Sequence, residues 1–235
     1  MEAGALVVDE LKDEASNINW ANADNKEFYE NFSFKDYQKY LTLAGLASSP
    51  DVILIKDLIL SAKSILDVGP GYGRVIEFAK NLGYQKQITA VEFSDALVTN
   101  LQKKFVDDKI IHGDFLKFAT DNKFDLILMM WTTLSVFNPF DEQQACFYQC
   151  AKMLSDDGYC VIDMLLSNSA EEAITNKASQ YYVTHAGNNT THYAYGQSIL
   201  EIMDYVAKAG LAIRQIKEYK AATAKRCLVI LSLQG

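Results

Sequence analysis

The chain reads as an α/β protein: a seven-stranded doubly wound sheet, preceded by an N-terminal helical cap and interrupted by a β-hairpin insertion. Three observations predict this. From Ser64 onward, short apolar runs alternate with stretches of helical periodicity, the pattern of strands joined by crossover helices. Phe124–Met130 is an unbroken apolar run, as a central strand covered on both faces requires. Between the first apolar run and the first helix lie Gly69, Gly71 and Gly73, the composition of a tight strand-to-helix turn.

Each element has its own signal. Lys26–Leu46 carries Phe28, Tyr29, Phe32, Phe34, Tyr37 and Tyr40 at mostly helical spacing and reads as the cap, with residues 1–50 set apart from a main domain of 51–235. Asp51–Ser61 reads as a helix leading into the sheet. Strands are predicted at Ser64–Val68, Gln87–Glu92, Lys109–His112, Phe124–Met130 and Tyr159–Leu165, with helices at about Arg74–Leu82, Ser94–Lys104 and Asp141–Leu154. A helix over Ser198–Ala209 stops at Gly210, a natural residue just past a helix end. Two strands, Leu211–Tyr219 and Arg226–Leu233, finish the chain. The insertion, residues 167–197, contains Gln180–His185 and Thr190–Tyr195 around Ala-Gly-Asn-Asn. It reads as a hairpin leaving the carboxyl end of the fifth strand, the side on which open α/β sheets bind ligands.

Bulk properties exclude several classes. At 235 residues, 49% hydrophobic and 22% charged, the chain can bury a full core. Its net charge of −8 argues against a nucleic-acid partner. No apolar run reaches the ~20 residues of a membrane span, and the N-terminus lacks the basic segment of a secretory signal. The four cysteines, Cys146, Cys150, Cys160 and Cys227, form no C-x-x-C pair and read as buried reduced thiols, hence a cytoplasmic protein. No Cys/His cluster has metal-site spacing, so no metal is expected.

The chemistry concentrates around the glycines. They permit positive φ and let a ligand lie against backbone, whose free N–H groups can hold polar atoms. Glu92, at the tip of the second strand, stands at the spacing of an acid that accepts from ribose hydroxyls. A dinucleotide site reads G-x-G-x-x-G, but here the order is Gly69-x-Gly71-x-Gly73 followed by Arg74. Asp67, two residues before the first glycine, would repel a pyrophosphate and suit an ammonium group.

Ile65-Leu-Asp-Val-Gly-Pro-Gly-Tyr-Gly-Arg74, together with Glu92 and Asp114, resembles the ordered motifs of the class I S-adenosylmethionine-dependent methyltransferases, a likeness covering roughly Ser64 to Gly235. The resemblance implies a Rossmann-like sheet whose last strand inserts antiparallel, with S-adenosylmethionine as cofactor and S-adenosylhomocysteine as product. It implies that Asp67, Gly69, Gly71 and Gly73 meet the methionine part, that Glu92 accepts both ribose hydroxyls, and that Phe93 lies on the adenine. Asp114 and the Phe115 N–H would read the adenine edge, and the backbone at Met130 the amino group. An Asn/Asp-Pro-Pro-Tyr/Phe motif is missing after the fourth strand, which disfavours nucleobase or glutamine amino groups as acceptors.

The expected acceptor is therefore a small molecule methylated at O or N, held by Tyr29, Tyr37, Trp131, Tyr182 and Tyr193. His185 or His192 is the candidate base, and the protein would act as a monomer or homodimer. The alternatives are a non-catalytic cofactor-binding subunit, a protein or RNA methyltransferase, an aminopropyl transferase and an NAD-dependent oxidoreductase.

Overall fold

The computed structural model describes residues 8–9, 25–139, 141–167, 180–185, 191–222 and 224–235. In chain order the elements are β1 (Val8–Asp9), α1 (Lys26–Asn31), α2 (Phe34–Leu43), α3 (Pro50–Leu54), α4 (Lys56–Ser61), β2 (Ile65–Val68), α5 (Arg74–Asn81), β3 (Ile88–Glu92), α6 (Asp95–Lys104), β4 (Lys109–His112), β5 (Phe124–Met129), α7 (Glu142–Met153), β6 (Leu154–Ser167), β7 (Gln180–His185), β8 (Thr191–Gly196), α8 (Ile199–Lys208), β9 (Leu211–Ala221) and β10 (Ala224–Leu233).

Seven of the strands form one sheet in the order β4-β3-β2-β5-β6-β10-β9, and β10 runs antiparallel between β6 and β9. The strand order reverses between β2 and β5, so a crevice opens there at the carboxyl ends of the strands. β2 feeds the glycine loop into that crevice, and β5 feeds the segment from Met130. The sheet is buried on both faces. One face packs Leu66, Ile127, Phe147, Ile162 and Val229 with α7 and α8, and the other packs Ile65, Leu128, Val161 and Leu228 with α3, α4 and α5.

Three boundaries differ from expectation. The helix expected over Asp51–Ser61 is two helices broken at Ile55 (φ −116°, ψ 14°). The aromatic stretch is likewise two helices, because Phe32 is extended and the Ser33 side chain caps α2 by accepting from the Asp36 N–H at 3.2 Å. β6 begins at Leu154, directly after α7. Its ladder with β5 jumps from Phe124↔Leu154 to Leu126↔Tyr159, so the turn-like Ser155–Gly158 is an irregularity in the strand and not its start.

A second, three-stranded sheet joins β1, β7 and β8. The hairpin pairs Gln180↔Gly196 through His185↔Thr191, as the alternation predicts; its expected turn at 186–189 and the first part of the insertion lie outside the described residues. The chain on both sides of α1 is tied to other elements. The Asn25 side chain accepts from the Tyr193 N–H at 2.8 Å and donates to the Tyr193 carbonyl at 2.9 Å, extending the edge of β8. The Glu30 carboxylate accepts from the N–H groups of Asp95 and Ala96, at 2.8 and 3.1 Å, on the first turn of α6. Two otherwise unsatisfied donors of that helix are thereby met by α1.

Candidate active site

Gly69, Gly71 and Gly73 all take positive φ (63°, 57° and 79°), each for a different neighbour. A side chain at Gly73 would strike the Phe105 ring at 2.2 Å, and one at Gly69 would meet Thr133 at 2.9 Å. A side chain at Gly71 would meet nothing within 4 Å among the described residues, so this point of the loop has room for a ligand.

Asp67 lies beneath this loop, 1% exposed, and its Oδ2 has no hydrogen-bond partner among the described residues. Desolvation raises its pKa to about 7, with Arg74 pulling it down and Glu92 pushing it up. A buried carboxylate oxygen left without a donor is costly unless a ligand supplies one. Arg74 stands where a dinucleotide site has its last glycine. It is consumed by Asp51, which accepts from both guanidinium nitrogens at 2.7 and 2.6 Å in a buried pair.

Glu92 is 2% exposed and fully engaged. Its Oε1 accepts from the Phe93 and Ser94 N–H groups at 2.9 and 3.0 Å, and its Oε2 from the Gly71 N–H at 3.1 Å. The carboxylate expected to face a ribose thus accepts from backbone N–H groups of its own turn and of the glycine loop. Burial again raises its pKa to about 7 against the pull of those three donors, and Glu30 adds a smaller push. Tyr29 stands edge-on to Phe93, centroids 5.5 Å apart, so α1 packs over the turn that follows β3.

Asp114 and Phe115 sit beside this crevice in mainly local roles. Asp114 caps a short 3-10 helix by accepting from the Leu116 N–H at 2.9 Å and pairs with Lys117 at 3.0 Å. The Phe115 ring is buried against the core, 6.5 Å from Phe137. Met130 is buried at the exit of β5.

Of the expected acceptor residues, the structure brings Tyr37 and Trp131 together at 5.8 Å, with the Tyr72 ring tilted against Tyr37 at 4.8 Å. Tyr29 and His192 form a second group, joined by a 3.0 Å hydrogen bond between the phenol and Nε2, with Phe28 4.8 Å from the imidazole. Burial pushes the His192 pKa down to about 4, so it is neutral at pH 7 and a weak base at rest, and it pushes the Tyr29 phenol up. Tyr193 contributes its backbone to Asn25. Tyr182 and His185 lie on β7 opposite Ala194 and Thr191, and their side chains are outside the described residues; the two histidines are not cross-strand partners. Among the described residues no cluster of three or more His, Cys, Asp or Glu could hold a metal ion.

Sequence reasoning missed a buried charge chain beneath Trp131. Asp163 on β6 accepts from the Trp131 N–H at 2.9 Å, from Arg226 Nη2 at 2.8 Å and from the Tyr219 hydroxyl at 2.8 Å. The signal was present, since Asp163 and Arg226 are single opposite charges inside apolar strands, and such charges are buried only in pairs.

Residues 66–162 match the family model described as a methyltransferase domain. A dTDP-3-amino-3,4,6-trideoxy-alpha-D-glucopyranose N,N-dimethyltransferase of Streptomyces venezuelae is 28% identical over 114 residues, covering 46% of this chain and 47% of the relative. The chain therefore spans about half the length of the curated relative it matches. An S-adenosylmethionine-dependent methyltransferase from Clostridium acetobutylicum superposes with a TM-score of 0.63 at 16% identity, covering 85% of this chain and 99% of the other. The 1,6-didemethyltoxoflavin-N1-methyltransferase of Burkholderia thailandensis, solved with S-adenosylhomocysteine bound, gives 0.68 at 16% identity over 99% and 94%. At these identities the structural likeness concerns the fold. The match to a methyltransferase domain lies over the strands that carry the glycine motif, and the sheet order with antiparallel β10 is the one that motif implied.

Proposed function

We propose that this protein binds S-adenosylmethionine in the crevice between β2 and β5 and transfers its methyl group to an O or N atom of a small molecule. The carrying observation is the partnerless Oδ2 of buried Asp67 beside the open space at Gly71, a carboxylate and backbone cradle that fits a ligand bearing an ammonium group. The Asp51–Arg74 and Asp163–Arg226 pairs neutralise themselves, so Asp67 and Glu92 leave the crevice with unbalanced negative charge, which favours a cationic cofactor. The small-molecule acceptor follows from the relatives' substrates, an amino sugar nucleotide and a toxoflavin precursor.

When bound, the cofactor supplies a sulfonium methyl carbon, to which the acceptor's lone pair bonds as the C–S bond breaks and its electrons stay on sulfur. The chain's part is alignment and exclusion of water. Asp67 fixes the amino-acid end against the glycine loop, whose Gly69, Gly71 and Gly73 N–H groups already donate to Val91, Glu92 and Pro70, and Glu92 with Phe93 fixes the nucleoside. Asp114 and Phe115 border the adenine edge, Met130 borders the amino group, and Tyr37 with Trp131 walls the acceptor side. Tyr29, Tyr182, Tyr193, His185 and His192 belong to the cap and hairpin, which would close the site; His192, neutral at pH 7, would act as a base at Nε2 only when that atom is free of the Tyr29 hydroxyl. Four buried thiols support a reducing compartment, the cytoplasm. No described helix is long and apolar enough to cross a membrane.

Titration calorimetry with S-adenosylhomocysteine tests the reading. Micromolar binding is expected, weakened about 10–100-fold in Asp67→Asn, the cost of a lost charge-assisted hydrogen bond. A wild-type protein that binds neither cofactor nor product overturns it.

A further inference from the structure

Trp131 and Thr132 hold left-handed backbone, φ 50° and 61°, in succession, at the exit of the central strand. Positive φ is a true outlier for a bulky residue and persists only where the surroundings enforce it. The enforcement is visible. The Thr132 hydroxyl donates to the Trp131 carbonyl at 2.6 Å, and the Thr133 hydroxyl donates to the Met130 carbonyl at 2.7 Å. The Trp131 N–H is held by Asp163, which is itself fixed by Arg226 and Tyr219 across β10 and β9.

An ion pair serving only stability needs Arg226 and Asp163. It does not need the amide of a strained residue as a further partner. The strain has a direction: it brings Thr133 against Gly69, places the indole 5.8 Å from Tyr37, and sets it 6.0 Å from the Arg74 guanidinium. The second ion pair, Asp51–Arg74, thus borders the same indole from the α3–α5 side.

We propose that Asp163, clamped by Arg226 and Tyr219, is a positioning residue that sets the Trp131 turn and thereby the wall of the acceptor site facing the glycine loop. It touches neither cofactor nor acceptor; it acts through the Trp131 amide. The functional meaning of that wall rests on the methyltransferase reading above, whereas the positioning itself does not.

The experiment uses the full chain with Trp20→Phe, leaving Trp131 as the sole tryptophan. Emission maximum, acrylamide quenching and S-adenosylhomocysteine affinity are measured for this parent and for Asp163→Asn, Tyr219→Phe, and Asp163→Asn with Thr132→Gly. Asp163→Asn should red-shift the emission and raise the quenching constant at least twofold, with cofactor-product affinity changed less than threefold. Tyr219→Phe, which removes one of the Asp163 donors and spares the ion pair, should give a smaller change in the same sense. Glycine at 132, which accepts positive φ freely, should restore most of the parent emission. Emission and quenching unchanged in both Asp163→Asn and Tyr219→Phe would overturn the proposal. So would changes that glycine at 132 leaves uncorrected, since they would mark a general loss of packing. If Asp163→Asn does not fold, Tyr219→Phe alone decides. Failure of the parent to bind S-adenosylhomocysteine would sink the methyltransferase reading while leaving the fluorescence result to judge the turn.

Discussion

Asp67 and Glu92 make an instructive pair. Both are buried acids at the carboxyl edge of adjacent strands, and burial raises both to about 7. Yet one has an oxygen with no donor, and the other holds three backbone N–H groups. The Asp67 region is incomplete without a ligand. The Glu92 region is complete by itself, roofed by Tyr29 of α1, the helix whose Glu30 caps the first turn of α6. On the proposed reading, the floor carries an acid that would meet a cation, while the rim beside it would exchange its backbone donors for ribose hydroxyls.

The strongest way to break this contrast is Asp67→Asn. It should cost the cofactor product the 10–100-fold already stated and yet raise the thermal midpoint of the ligand-free protein at pH 7.5, because an unpaired buried charge disappears. Glu92→Gln should do the opposite to stability. The amide offers one acceptor oxygen where the carboxylate offered two, so a buried N–H is orphaned at a cost of about 1–3 kcal/mol, read by denaturant unfolding.

Gly71→Ala sharpens the comparison from the ligand's side. Its Cβ meets no protein atom, so the ligand-free fold should lose only the roughly 1 kcal/mol of a positive-φ alanine, while S-adenosylhomocysteine binding falls at least tenfold.

Titration gives a further test. A carboxyl raised from about 4 to about 7 leaves the folded state holding more protons than the unfolded one between those values, so ligand-free stability falls as pH rises from 4 to 7. Binding to ionised Asp67 moves the other way: affinity for S-adenosylhomocysteine should climb from pH 5.5 to 7, by up to about tenfold per unit for one linked proton. A flat profile would show Asp67 already ionised. The smallest effect belongs to Glu30→Gln, which weakens the α6 cap by about 1 kcal/mol and should speed cofactor-product association a few-fold in stopped flow by loosening α1.

The alternating apolar runs and the glycine turn made the sheet legible, because strands buried on both faces and a positive-φ loop each admit few residue types. Asp67 and the three glycines were readable for the same reason. The states of Glu92, Asp114 and His192 were not. Whether a carboxylate points at a ligand or at its own backbone depends on which N–H groups the turn presents, and whether an imidazole titrates near neutrality depends on what covers it.

The sequence alone determined the α/β class, the crevice and its acidic, glycine-lined floor, since periodicity and backbone freedom are local properties. Only the tertiary structure paired Asp51 with Arg74 and Asp163 with Arg226, bent Trp131 into left-handed backbone, and laid α1 over Glu92. Those features join residues 23 and 63 positions apart, and in the case of the Tyr29–His192 bond 163 apart. A buried charge finds its partner by where the sheet order places it, and nothing in the local pattern of residues encodes that distance.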